Sequence, residues 1–253
     1  MWLENLRSVS RAALVVGEYS ANALVGLIDP RLRSSGATVE EARIRLAGDA
    51  LLPWVSWQAT RAVTVEAPVS EVWPWLAQAG YGRGGWYADM PWWRDAEGRR
   101  GRRSSAERLL PDEQHIEVGQ VLLDGPGCDE AHGAWTVRIC DPSRALVLFS
   151  SRTLAGREVD ADAAPPRFYI DCSWAFALRP VPAGTRILVR TRVKLNPDRR
   201  PTRWLAAGLG FADQAMQRAM LLGIKRRVEG AGTTTSGSGK RTGPATSRGR
   251  SKR

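Results

Sequence analysis

Two neighbouring stretches constrain the fold of this chain more than anything else in it. Between 168 and 179, Phe168, Ile170, Cys172, Trp174, Phe176 and Leu178 take every second position, with Tyr169, Asp171, Ser173 and Arg179 on the other row. Between 186 and 195, Ile187, Val189, Thr191, Val193 and Leu195 alternate with Arg186, Arg190, Arg192 and Lys194, Leu188 being the single apolar residue on the charged row. Side chains of a strand point alternately to its two sides, so each stretch has an apolar face and a polar one. Pro182-Ala183-Gly184 supplies a tight turn between them. The pair therefore predicts two long antiparallel strands in a sheet with one buried side and one wet side.

The rest of the chain supplies partners for that hairpin. Ala59, Arg61, Val63 and Val65 alternate with Thr60, Ala62 and Thr64 in a strand that starts near Trp57 and is ended by Pro68. Ser70 is placed to cap a helix whose inward face is Val69, Val72, Trp73, Leu76 and Ala77, with Gly80 as its stop. Further strands are expected at Ile116–Asp124, at Trp135, Val137 and Ile139, and at Leu146 to Phe149. From about Pro201 to Val228 an apolar stripe at helical spacing, including Trp204, Phe211, Met216, Met220 and Ile224, predicts one long helix that spans the sheet. The fold class is thus α+β, a twisted antiparallel sheet with a long C-terminal helix. The domain occupies 57–229, preceded by a helical extension and connector at 1–56, in which Thr38 and Glu41 have capping-box spacing.

Charge and cysteines exclude several classes. The net charge is +11, but Lys240, Arg241, Arg248, Arg250, Lys252 and Arg253 supply more than half of it. They lie in a Gly-, Ser- and Thr-rich segment without acids, and 230–253 reads as a disordered basic tail able to make only weak contact with nucleic acid or anionic membrane. Cys128, Cys140 and Cys172 are odd in number and widely spaced, which fits neither a disulfide framework nor a CxxC metal site. With two histidines in the chain, no metal and no cofactor is expected. The apolar run Ala12–Val16 is interrupted by Gly17 and Glu18, too short for a signal peptide or membrane span, so a cytoplasmic protein is expected, with the N-terminal helix available for peripheral membrane contact.

The most distinctive stretch is YGRGGWYADMPWW, Tyr81 to Trp93, which combines three glycines, five aromatic rings and one isolated cation, Arg83. An arginine-rich run follows at 94–108 and reads as a mobile loop of the kind that edges binding sites. No GxSxG, HExxH, Walker loop or dinucleotide-binding glycine pattern occurs.

The stretch TRAVTVEAPVSEVWPWLAQAGYGRGGWY resembles the front of bacterial SRPBCC proteins, the START and polyketide-cyclase superfamily, with EVGQV at 117–121, SWAFALRPV at 173–181 and TRILVRTR at 185–192 adding to the likeness. The resemblance covers about 57–229 and implies a helix-grip fold, in which the sheet wraps around the long terminal helix. That superfamily commonly has seven strands, against the six predicted here. Its members bind lipids, sterols, polyketides or hormones, and some are cyclases or aromatases.

The first functional expectation is therefore binding of a small hydrophobic ligand in an internal cavity lined by Trp73, Trp86, Trp135, Phe149, Phe168, Trp174, Phe176 and Met216. Arg83 is the polar candidate, facing either a ligand carboxylate or phosphate, or Asp89 or Glu71 in a salt bridge that pins its loop. A cyclase or dehydratase acting on such a ligand is the second expectation, with Asp89, His115, Tyr87 and Tyr169 as catalytic candidates. A third is an accessory protein that binds membrane or nucleic acid through its two ends. No specific protein partner is implied.

Overall fold

The alternation at 168–195 closes into a long hairpin, Tyr169–Val181 paired antiparallel with Gly184–Asn196 across the turn at Pro182-Ala183. The computed structural model describes residues 36–88, 105–125, 128–153, 155–160, 162–199 and 216–231. The expected N-terminal helix, Asp89, the first part of the arginine-rich run, residues 201–215 of the expected long helix and the basic tail beyond 231 lie outside the described residues.

In chain order the elements are α1 (Val39–Arg43), β1 (Trp57–Val65), α2 (Val69–Ala77), β2 (Val121–Leu123), β3 (Ala134–Asp141), β4 (Ala145–Thr153), β5 (Tyr169–Val181), β6 (Gly184–Asn196) and the helical residues 216–231, here α3. The six strands form one antiparallel sheet in the order β1-β6-β5-β4-β3-β2. Strands β2 to β6 are a meander, and β1 completes the edge beside β6, with Arg61 opposite Val189 and Ala59 opposite Thr191. The class is α+β.

One face of this sheet carries the main core. Val65, Leu122, Trp135, Val137, Leu146, Leu148, Trp174, Phe176, Ile187 and Val189 are buried there together with Val72, Trp75 and Leu76 of α2 and Met220, Leu221, Ile224 and Val228 of α3. Each such side chain contributes about 1.5–3 kcal/mol by leaving water, which makes this face the main source of stability. Several local expectations change. The buried aromatic of α2 is Trp75, with Trp73 half-buried, and the helix is capped by Pro68 without a side-chain bond from Ser70. In β3 a register shift between Val137 and Ile139 inserts one residue, so Cys140 packs on the core and Ile139 stands opposite Val147. Where Ile116–Asp124 was expected as a strand, only Val121–Leu123 pairs, because Gly119 turns the chain with φ 91°.

The second face is not wet along β1, β6 and β5, contrary to the expectation from its arginines. Residues 37–52, anticipated as a connector, lie across it as a strap: Ile44 and Leu46 pack on Ala62, Ala177 and Leu188. Arg190 is 1% exposed and donates to Asp49 Oδ2 at 2.7 Å, Ile44 O at 2.8 Å, Ala42 O at 3.0 Å and Thr60 Oγ1 at 2.9 Å. Arg186 is held by both oxygens of Glu41, and Arg192 donates to Leu52 O. The charged row of β6 is thus a ladder that binds the strap. The strap's own capping box works as expected, Thr38 Oγ1 accepting from Glu41 N.

Candidate functional site

On the core face, three indoles and one phenyl ring form a continuous aromatic cluster. Trp174 of β5 is its centre, with ring centroids 5.1 Å from Trp86, 5.6 Å from Trp135 and 4.9 Å from Phe176. Trp86 reaches the cluster because the chain reverses at Gly80, Gly82 and Gly85, all at positive φ where a side chain would strain the backbone. A buried indole N–H needs an acceptor. Trp86 Nε1 donates to Leu123 O at 3.1 Å and Trp135 Nε1 to Asp124 Oδ1 at 3.0 Å. Trp174 Nε1 is buried and has no acceptor among the described residues, a condition that costs about 1–3 kcal/mol.

Polar groups stand at both ends of the cluster. On one side, Thr191 is the cross-strand partner of Trp174, and its Oγ1 accepts from Gln217 of α3, whose Oε1 accepts in turn from Arg61 of β1. Arg61 and Gln217 are buried to 0% and 1% exposure. On the other side, the inward row of β4 continues from Leu148 to Ser150 and Arg152. The Arg152 guanidinium lies 4.8 Å above the Trp135 ring and pairs with Asp124 Oδ2 at 3.1 Å. Its Nε donates to Ser150 Oγ, which donates to Glu158 Oε1 at 3.0 Å. Burial pushes the Glu158 carboxyl above its ordinary value, and Arg152 and Ser150 pull it part of the way back. The core face therefore offers an aromatic wall, an indole donor with no acceptor among the described residues and a carboxyl whose pKa is raised by burial.

Of the expected pocket residues, Trp86, Trp135, Trp174 and Phe176 come together on this wall, and Trp73 and Met216 pack half-buried against the same core. Phe149 does not join them: it pairs with Ser173, one step out of phase with Trp174, so it faces the other side of the sheet, where Arg138 covers its ring at 5.5 Å. Phe168 precedes β5 and is 45% exposed, with Arg167 over its ring. Arg83 is committed to the backbone. It donates to Ala77 O, Glu113 O and His115 O, and among the described residues its ion pair is with Glu113 at 3.3 Å and not with Glu71. It thus staples the 105–115 segment to α2.

The catalytic candidates disperse. Tyr87 is fully buried, donates to Trp75 O at 2.8 Å and is pushed well above its ordinary value by burial. His115 is an exposed side chain beside Glu117, and Tyr169 sits in the outer row of β5 with Asp171 and Ser173. Asp89 lies outside the described residues. The residues that sequence reasoning passed over are Arg61, Thr191, Ser150, Arg152, Asp124 and Glu158. Period-two counting does put Arg61 and Thr191 on the inward row, but Ser150 and Arg152 fall past the apolar part of β4, and nothing local ties Glu158 to them.

Among the described residues there is no cluster of His, Cys, Asp and Glu able to hold a metal ion, and no helix long and apolar enough to cross a membrane. No family model and no curated protein matches the chain. Solved structures similar to it include a protein of Nitrosomonas europaea, 12% identical over 70% of this chain and 97% of that one with a TM-score of 0.40. A Rhizobium leguminosarum protein is 14% identical over 67% and 96% with a TM-score of 0.37, and one from Arthrobacter aurescens 15% identical over 69% and 87% with a TM-score of 0.36. Likenesses this weak carry no information about function.

Proposed function

We propose that this chain is a helix-grip protein of the SRPBCC type that binds a small hydrophobic ligand, such as a lipid or polyketide, between its sheet and its C-terminal helix. The observation that carries the reading is the cluster of Trp86, Trp135, Trp174 and Phe176 on the face covered by α3, with polar groups at its two ends. Apolar burial supplies affinity in such a site, and a few fixed polar groups set orientation. Cys128, Cys140 and Cys172 form no disulfide, which fits a reduced, cytoplasmic setting.

The test is energy transfer from the tryptophans to a fluorescent polyene fatty acid. Saturable transfer at one probe per chain supports the reading. Absence of transfer at micromolar probe counts against it. One observation favours chemistry on the same ligand, a cyclase or dehydratase: Glu158, with its raised carboxyl pKa, is bonded to Ser150 on the core face. In that case Glu158→Gln loses turnover and keeps ligand affinity; unchanged turnover excludes the role.

A further inference from the structure

We infer that the ligand of the core face carries a hydrogen-bond acceptor, the carbonyl oxygen of a ketone, ester or acid on an otherwise apolar body, and that Trp174 Nε1 is the donor that holds it, a step that rests on the binding reading above. Three indoles meet in the cluster, and the two outer ones have protein acceptors in Leu123 O and Asp124 Oδ1. The central one is 2% exposed and has none among the described residues. An indole N–H is a donor only, so its complement is an oxygen or nitrogen lone pair; a hydrocarbon or an ammonium group leaves it unsatisfied.

Packing alone does not explain a tryptophan at this position. The next inward residue of the same strand is Phe176, which fills the same face, 4.9 Å away, without burying a donor. The surroundings favour an acceptor as well. Thr191 stands directly across from Trp174, Gln217 bonds to it, and the Arg61 guanidinium is one inward step further along β1, so a partially negative oxygen there meets polar groups and positive potential.

Two shape-matched probes separate the acceptor from apolar burial: 2-acetylnaphthalene and 2-isopropenylnaphthalene, which differ by a carbonyl oxygen in place of a methylene. Titration of the full chain is expected to show about tenfold tighter binding of the ketone, the size of one buried hydrogen bond. In Trp174→Phe the preference disappears while the alkene still binds. In parallel, the infrared carbonyl stretch of the bound ¹³C-labelled ketone lies lower in the wild type than in hydrocarbon solvent. Equal affinity for the two probes with an unshifted carbonyl overturns the acceptor and leaves the binding reading standing, since the donor is then satisfied by solvent. Failure of both probes to bind overturns the binding reading with it. The wild-type ratio and the carbonyl frequency decide the matter even if the variant does not fold.

Discussion

Asp49 Oδ2 lies 2.7 Å from Arg190 Nη1, with the two side chains only 12% and 2% exposed between the sheet and the strap. Removing one partner of a buried pair leaves an uncompensated charge, which costs about 3–5 kcal/mol. Asp49→Ala is therefore expected to lower the unfolding free energy by that amount, read as a lower urea midpoint with an unchanged m-value. Because the pair is on the face away from Trp174, any ligand affinity of the folded fraction stays as it was. A loss below about 1 kcal/mol shows that the strap is not part of the folding unit.

The strap also sets an acid limit. The hydrogen bond from Arg186 holds the Glu41 carboxyl below its ordinary value of 4.5, more than burial raises it. The unfolded chain then binds the proton first as the pH drops, so this contribution is present above about pH 4.5 and is lost as the pH falls through the lower folded value. Glu41→Gln is expected to be less stable than the wild type at pH 7 and to converge with it in acid. Stability measured by denaturant at several pH values checks this, and parallel curves contradict it.

Gly223 of α3 touches the backbone of Tyr87, and a Cβ there meets Tyr87 O at 2.0 Å. Helix propensity alone predicts that Gly223→Ala stabilises by about 1 kcal/mol. The close approach reverses the sign, because the obstacle is backbone, and Tyr87 is itself held at φ 59° with its hydroxyl on Trp75 O. A loss of about 3 kcal/mol is expected, with altered near-ultraviolet tryptophan signals. A higher melting temperature refutes the contact.

The two faces of the sheet make a further distinction. Met216→Trp, placed against the core, is expected to reduce uptake of the polyene probe at least about tenfold, whereas Phe149→Leu on the other face leaves it within about twofold. Equal effects from the two changes contradict the assignment of the core face as the site.

Sequence periodicity located β1, α2, β5 and β6, since long alternating runs such as Ile170 to Leu178 leave one consistent way to bury a face. It missed the bulge in β3, because one inserted residue reverses the parity from Val137 onward and leaves no local signal. Arg190 looked solvated because alternation tells which side a residue faces and not what covers it; its partners Asp49 and Ile44 are far away in the chain. The capping role of Glu41 was legible three residues from Thr38, but its bond to Arg186 was not. Sequence left Arg83 facing either a ligand or a carboxylate that pins its loop; the backbone carbonyls it bonds have no sequence signature. The aromatic half of the candidate site was legible from residue type and row; the polar half, from Arg61 to Glu158, needed the register of five strands.

The central claim is that the core face takes a hydrophobic ligand. Native mass spectrometry of the freshly purified chain, followed by organic extraction, tests it most directly. The expected result is an adduct at one per chain that extracts as an apolar, carbonyl-bearing molecule and is missing from Met216→Trp. An adduct-free mass that takes up nothing from a panel of fatty acids, sterols and aromatic polyketides contradicts it, and makes the tryptophan cluster a filled core.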